Sequence, residues 1–112
     1  MATNVTNTPP KNRTVVSTFV NASALGTTQI VSAQAGRSIR MVAMAVVTTL
    51  ANNVKVQSAA TDITATFPLG ANGGIVLPYN DHGWCETNPG EALNINLSVG
   101  TATGVHVEYI VV

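Results

Sequence analysis

Two kinds of apolar pattern run through this chain. From Ala92 to Val99 the residues Leu93, Ile95, Leu97 and Val99 share one parity while Asn94, Asn96 and Ser98 take the other. Successive side chains of a strand point to opposite faces, so this segment has a dry side and a wet one. Val54 and Val56 alternate with Lys55 and Gln57 in the same way. Between Ile39 and Leu50 the pattern changes: Ile39, Met41, Ala43, Ala45 and Val47 fall on one face and Val42, Met44, Val46 and Leu50 on the other. The end of the chain repeats it, with Val105, Val107, Tyr109 and Val111 opposed to His106, Glu108, Ile110 and Val112. Both faces of such strands need cover. Two packed sheets of this size offer no third layer, so the spacing predicts an oligomer interface on Val42, Met44, Val46, Ile110 and Val112.

Strand-forming stretches separated by turn residues recur every eight to twelve positions from Thr14 onward, the rhythm of a sandwich or barrel. They read as strands over 14–22, 28–34, 38–50, 53–59, 63–69, 74–79, 83–87, 92–99 and 104–112, divided by turn formers such as Asn52-Asn53, Gly70-Ala71-Asn72-Gly73 and Asn88-Pro89-Gly90. The Gly70–Gly74 run has no Lys-Ser/Thr ending of a phosphate loop and is expected to be a hairpin turn. No apolar stripe of helical period with capping signals occurs, so helix is not expected. The expected fold class is all-β: a β-sandwich over residues 14–112, preceded by an extended arm over residues 1–13. Pro9 and Pro10 hold that arm in β or polyproline backbone and push Thr8 away from the helical region.

Only 9% of the 112 residues are charged, and five bases balance five acids to a formal net charge of zero. That balance argues against a nucleic-acid partner. Fifteen Thr and eleven Asn solvate the surface in place of charge, or neighbouring subunits cover part of it. Residues 1–13 hold no apolar core with a basic lead-in, and the longest apolar run, 41–47, is far short of the roughly 20 residues of a spanning helix, so no export or membrane segment is expected.

Chemistry concentrates only at Asn80-Asp81-His82-Gly83-Trp84-Cys85-Glu86. Neighbours in one loop diverge, and no second cluster supplies an oxyanion hole or a substrate pocket, so no catalytic residues and no enzyme activity are expected. Cys85 is the sole Cys and His106 stands apart from His82, leaving no metal-ligand set and no expected cofactor. Trp84 is expected in the core with its indole N–H satisfied nearby, and Cys85 is expected to be inert.

The run Phe67-Pro68-Leu69, Ala71-Asn72-Gly73-Gly74, Leu77-Pro78-Tyr79-Asn80, His82-Gly83-Trp84 and Gly90-Glu91-Ala92-Leu93-Asn94-Ile95-Asn96-Leu97-Ser98 resembles small virion proteins of tailed bacteriophages, of the head-decoration or cement class. The likeness covers about residues 37–112 and departs from the family pattern at Cys85, where Phe is common after Gly-Trp. It implies a jelly-roll-like sandwich that forms a homotrimer, is assembled in the host cytoplasm and sits on the outer surface of the capsid. Its partners would be the major capsid protein and its own copies, with no nucleic acid and no membrane. Thr8, Pro9, Pro10, Lys11 and Arg13 are the expected capsid-docking residues, since a proline-restricted arm loses less entropy on ordering and can add a strand to a neighbour. The rival reading is the trimeric receptor- or carbohydrate-binding head of a tail fibre.

Overall fold

A computed structural model describes residues 14–112; the arm, with Thr8, Pro9, Pro10, Lys11 and Arg13, lies outside the described residues. Those described fold without helix into strands β1 (Val16–Ala22), β2 (Gly26–Val31), β3 (Ile39–Thr48), β4 (Asn52–Ser58), β5 (Thr61–Asp62), β6 (Phe67–Leu69), β7 (Gly74–Leu77), β8 (Cys85–Glu86), β9 (Leu93–Leu97) and β10 (Thr103–Val111). They form two antiparallel sheets packed face to face, a sandwich-like arrangement. The first has the order β1-β10-β3-β7 with β8 also on β3, and the second has β2-β9-β4-β5 with β6 also on β4. Of the strand expected over 63–69 only β6 forms; β5 precedes that span at Thr61–Asp62, and both lie on the same edge of β4.

The backbone passes between the sheets six times, at 32–38, at 87–92 and at four shorter corners, 23–25, 49–51, 70–73 and 98–102. These corners lie side by side. Thr49 N–H donates to Ala102 O at 3.1 Å, Asn72 N–H to Thr49 O at 3.1 Å, and Gly100 abuts Ser23 and Leu25. Residues Gly70–Gly73 are therefore a corner between sheets and not the hairpin expected from their composition, because β6 pairs with β4 and β7 with β3. Asn52 fixes the last corner: its carbonyl accepts from Ser98 N and Val99 N at 3.0 and 3.1 Å, and its amide donates to Val99 O at 3.1 Å.

Between the sheets, Met41, Met44, Val46, Val105 and Val107 meet Val54, Val56, Leu93, Ile95 and Leu97 in one buried cluster. Met41 and Met44 have opposite parity, yet both point inward. The pairing explains this: Met41 faces Tyr109, Ala43 faces Glu108, and Val42 between them has no partner across the ladder. This β-bulge adds one residue to β3 and reverses its pleat, so Ile39 and Met41 on one side and Met44, Val46 and Thr48 on the other enter the same interior.

The predicted interface is corrected by this geometry. Met44 and Val46 lie in the inter-sheet cluster, and Val42 and Ile110 are buried within the subunit beside it. Such side chains have no area left for a partner. Val112 is half-buried, and its N–H and C=O pair with the backbone of Ser38.

Gly74 pairs with Val47, and a Cβ there would strike the Val46 carbonyl oxygen. That atom is backbone and cannot move aside, so Gly74→Ala is expected to cost about 1–3 kcal/mol in urea unfolding, by overpacking. Gly104→Ala on β10, where a Cβ meets nothing within 4 Å, is expected to stay within about 0.5 kcal/mol.

Candidate interaction surface

The outer faces of the two sheets differ in kind. On the second sheet, Thr27 Oγ1 donates to Gln57 Oε1 at 2.9 Å and accepts from Asn96 Nδ2 at 3.0 Å. Gln57 Nε2 and Lys55 Nζ then reach the two oxygens of Asp62 at 2.8 and 3.0 Å. The hydrogen bond from Gln57, followed by Lys55, holds the Asp62 carboxyl below its ordinary range. Asn94 Nδ2 donates to Ala59 O at 2.9 Å, while its buried Oδ1 has no partner among the described residues. A continuous polar ladder covers this face and is satisfied at nearly every atom.

The first sheet presents the opposite. The cross-strand register aligns Phe19, His106, Ala45 and Val76 in one row across four strands, and Asn21, Gly104, Val47 and Gly74 in the next. Phe19, Val47 and Val76 are 68%, 59% and 70% exposed. The Phe19 and His106 rings stack with centroids 6.4 Å apart and planes 17° from parallel. Small residues on the central strands leave the middle of the face low. One depression of about 190 Å³ lies over Ala43 and Ala45, walled by Val76, Pro78, His106 and Glu108. A second, of about 330 Å³, runs between Phe19, Val47 and Gly104. Glu108 accepts from Ser17 Oγ at 3.1 Å at one margin. Apolar side chains on β1, β3 and β7, with the outer face of the second sheet hydrogen-bonded, are the pattern of a surface that is covered in use.

The segment Pro78–Glu86 flanks this face. The bulge leaves the Val42 carbonyl free to accept from Asn80 N–H at 2.9 Å, and Met41 O accepts from Trp84 N–H at 2.7 Å. Gly83, at a φ of 82°, turns the segment so tightly that a Cβ would lie 2.5 Å from Arg40 Cγ. Arg40 Nε in turn pairs with Glu86 at 2.9 Å. Trp84 is not a core anchor as the sequence suggested. It is 42% exposed, although its indole N–H does find a partner, donating to Pro78 O at 2.7 Å. Tyr79 is also exposed, and its hydrogen bond with Asp81 holds the phenol above its ordinary range. His82 and Asp81 lie on the same turn, where Asn80 Oδ1 accepts from His82 N–H at 3.0 Å. Among the described residues no group of three or more potential metal ligands comes together.

Phe19 and Val76 escaped the sequence reading for a physical reason. In Val16–Ala22 both parities mix polar and apolar residues, Ser17, Phe19 and Asn21 against Thr18, Val20 and Ala22. Nothing in that mixture marks Phe19 as the outward one. The small Ala43 and Ala45 are the available signal, since a strand whose one parity is alanine leaves a hollow on that side.

No protein-family model matches the chain, and no curated protein matches it in sequence.

Burial pushes the Cys85 thiol up to about 12 from 9.0. At pH 8 its thiolate fraction is then about a thousandfold below that of a free thiol. Iodoacetamide labelling followed by mass spectrometry is expected to be slower in the native chain than in the urea-unfolded chain by at least a hundredfold. Comparable rates would show that Cys85 is reached from solvent.

Proposed function

We propose that this chain is a structural module of a phage virion, a decoration protein that assembles as a homotrimer and stabilises the shell by binding its outer surface. The observation that carries the reading is the exposure of Phe19, Val47 and Val76 on two adjacent rows of one sheet face, where polar groups are few. A subunit built to stay alone would expose its polar ladder on both sides. The family likeness over residues 37–112 supplies the setting, and the backbone path, crossing between sheets at four adjacent corners, supports the jelly-roll-like description. The work is mechanical: copies joined through their apolar faces offer several equivalent contacts to one shell, and multivalency turns individually weak contacts into firm attachment.

The exposed pair Tyr79 and Trp84 on the Pro78–Glu86 segment favours a second reading, a glycan-binding head of a tail fibre. Aromatic faces stack on sugar rings, and Asn80, Asp81 and His82 on that turn offer polar partners. Glycan-array binding that Trp84→Ala abolishes would select this reading.

Sedimentation velocity at micromolar concentration is expected to give the mass of three chains. Val47→Asp or Val76→Asp is expected to release monomers with unchanged circular dichroism, because each side chain is exposed in the lone subunit but would leave an unpaired charge in the interface, costing several kcal/mol. Purified protein is expected to co-sediment with expanded, undecorated phage heads. A stable wild-type monomer that ignores heads would overturn the proposal.

A further inference from the structure

Glu108 is the one carboxylate in the rows of the apolar face, and no cation lies within ion-pair distance of it among the described residues, whose ion pairs are Arg40–Glu86 and Lys55–Asp62. Residues 14–112 hold three bases, Arg37, Arg40 and Lys55, against Asp62, Asp81, Glu86, Glu91 and Glu108, a balance of −2. Residues 1–13 hold Lys11 and Arg13 and no acid, a balance of +2. Residues 1–13 therefore carry the positive charge that offsets the excess of acid in residues 14–112.

The place where that segment joins the fold matters as much. β1 is the edge strand of the first sheet, and its first residues, Val16 and Ser17, pair with Tyr109 and Glu108. The chain thus enters the sheet one residue before the Glu108 row, whose β1 member, Ser17, is four positions after Arg13. Thirteen extended residues reach about 43 Å, while four strands span about 15 Å. Length is sufficient to cross a whole face. Lying on its own sheet would require the chain to turn back before β1, the edge strand, whereas lying on the face of a second copy requires no such turn. Proline-bearing extended segments bind in apolar hollows rimmed by aromatic rings, and the hollow over Ala43 and Ala45 has Pro78 and Val76 on one side and His106, stacked on Phe19, on the other.

We propose that residues 1–13 of one copy lie on the outer face of the first sheet of a neighbouring copy, with Lys11 paired to Glu108 and Pro9-Pro10 along the hollow. This rests on the homo-oligomer reading and deepens it: the arm binds the assembly together rather than reaching the shell. Head-to-tail exchange of arms closes into a ring, as a cyclic trimer requires.

The test uses the full-length chain. Treatment with a water-soluble carbodiimide joins an amine to a carboxylate in direct contact, and denaturing gels with peptide mass spectrometry map the links. Covalent dimers and trimers whose linked peptides join Lys11 to Glu108, and which vanish in Glu108→Gln, are expected. A Lys11–Glu108 link confined to single chains would place the arm on its own sheet and overturn the proposal, as would the absence of that link in an assembled wild type. A wild type that sediments as a monomer would instead overturn the homo-oligomer reading beneath it. As a second measurement, Lys11→Glu with Arg13→Glu is expected to weaken assembly about two- to fivefold per arm, and adding Glu108→Lys should restore it. Assembly indifferent to both changes would also overturn the proposal.

Discussion

A strand that is apolar on both faces can serve a single core only if its pleat reverses, and the bulge at Val42 makes β3 do so. With the reversal, Ile39 and Met41 before it and Met44 and Val46 after it all drain into one interior. The same residue leaves its carbonyl unpaired in the ladder, and Asn80 N–H takes it. That bond, with the one from Trp84 to Met41 O, docks the Pro78–Glu86 segment on the edge of β3, so one inserted residue sets both the core and the turn beside the exposed face. Without the bulge, the first sheet would present Met44 and Val46 to solvent and Ala43 and Ala45 to the core, a loss of volume the interior could not repack.

The two faces answer the scarcity of charge in different ways. Thr27, Gln57, Asn94 and Asn96 show how Thr, Asn and Gln solvate a sheet without charge: the first two and Asn96 bond across strands, Asn94 bonds the turn after β4, and only Lys55–Asp62 adds an ion pair. Exposed pairs of this kind contribute little on their own. The hydrogen-bond ladder defines the register of that sheet instead. The first sheet has no such ladder on its outside, where Phe19, Val47 and Val76 stand over alanine and glycine. A low, mostly apolar hollow with the single carboxylate of Glu108 at its wall is suited to accept a chain segment or a second subunit, since little polar surface must be dehydrated on contact.

Much of the architecture was legible in the residues. The alternation in Leu93–Leu97 and at Val54 and Val56 named inward and outward side chains correctly, because a strand with one wet face can be buried in only one way. Turn chemistry located most strand ends, and the all-β class followed from the absence of any helical stripe. Trp84 was misplaced because its partner, the Pro78 carbonyl, comes from its own turn, so the indole N–H is satisfied without burial in the core.

By itself the sequence determined the class of fold, the two wet-and-dry strands, the low charge and the segregation of Lys11 and Arg13 from the acids of the body, because period, propensity and charge are local properties of the chain. Only the tertiary structure decided which parity of β3 faces inward, that Gly70–Gly73 crosses between sheets, and that Phe19, His106, Ala45 and Val76 align in one row. Each of these depends on register between strands distant in sequence. A single unpaired residue at Val42 inverts every side chain that follows it, and no local pattern reveals where such a residue falls.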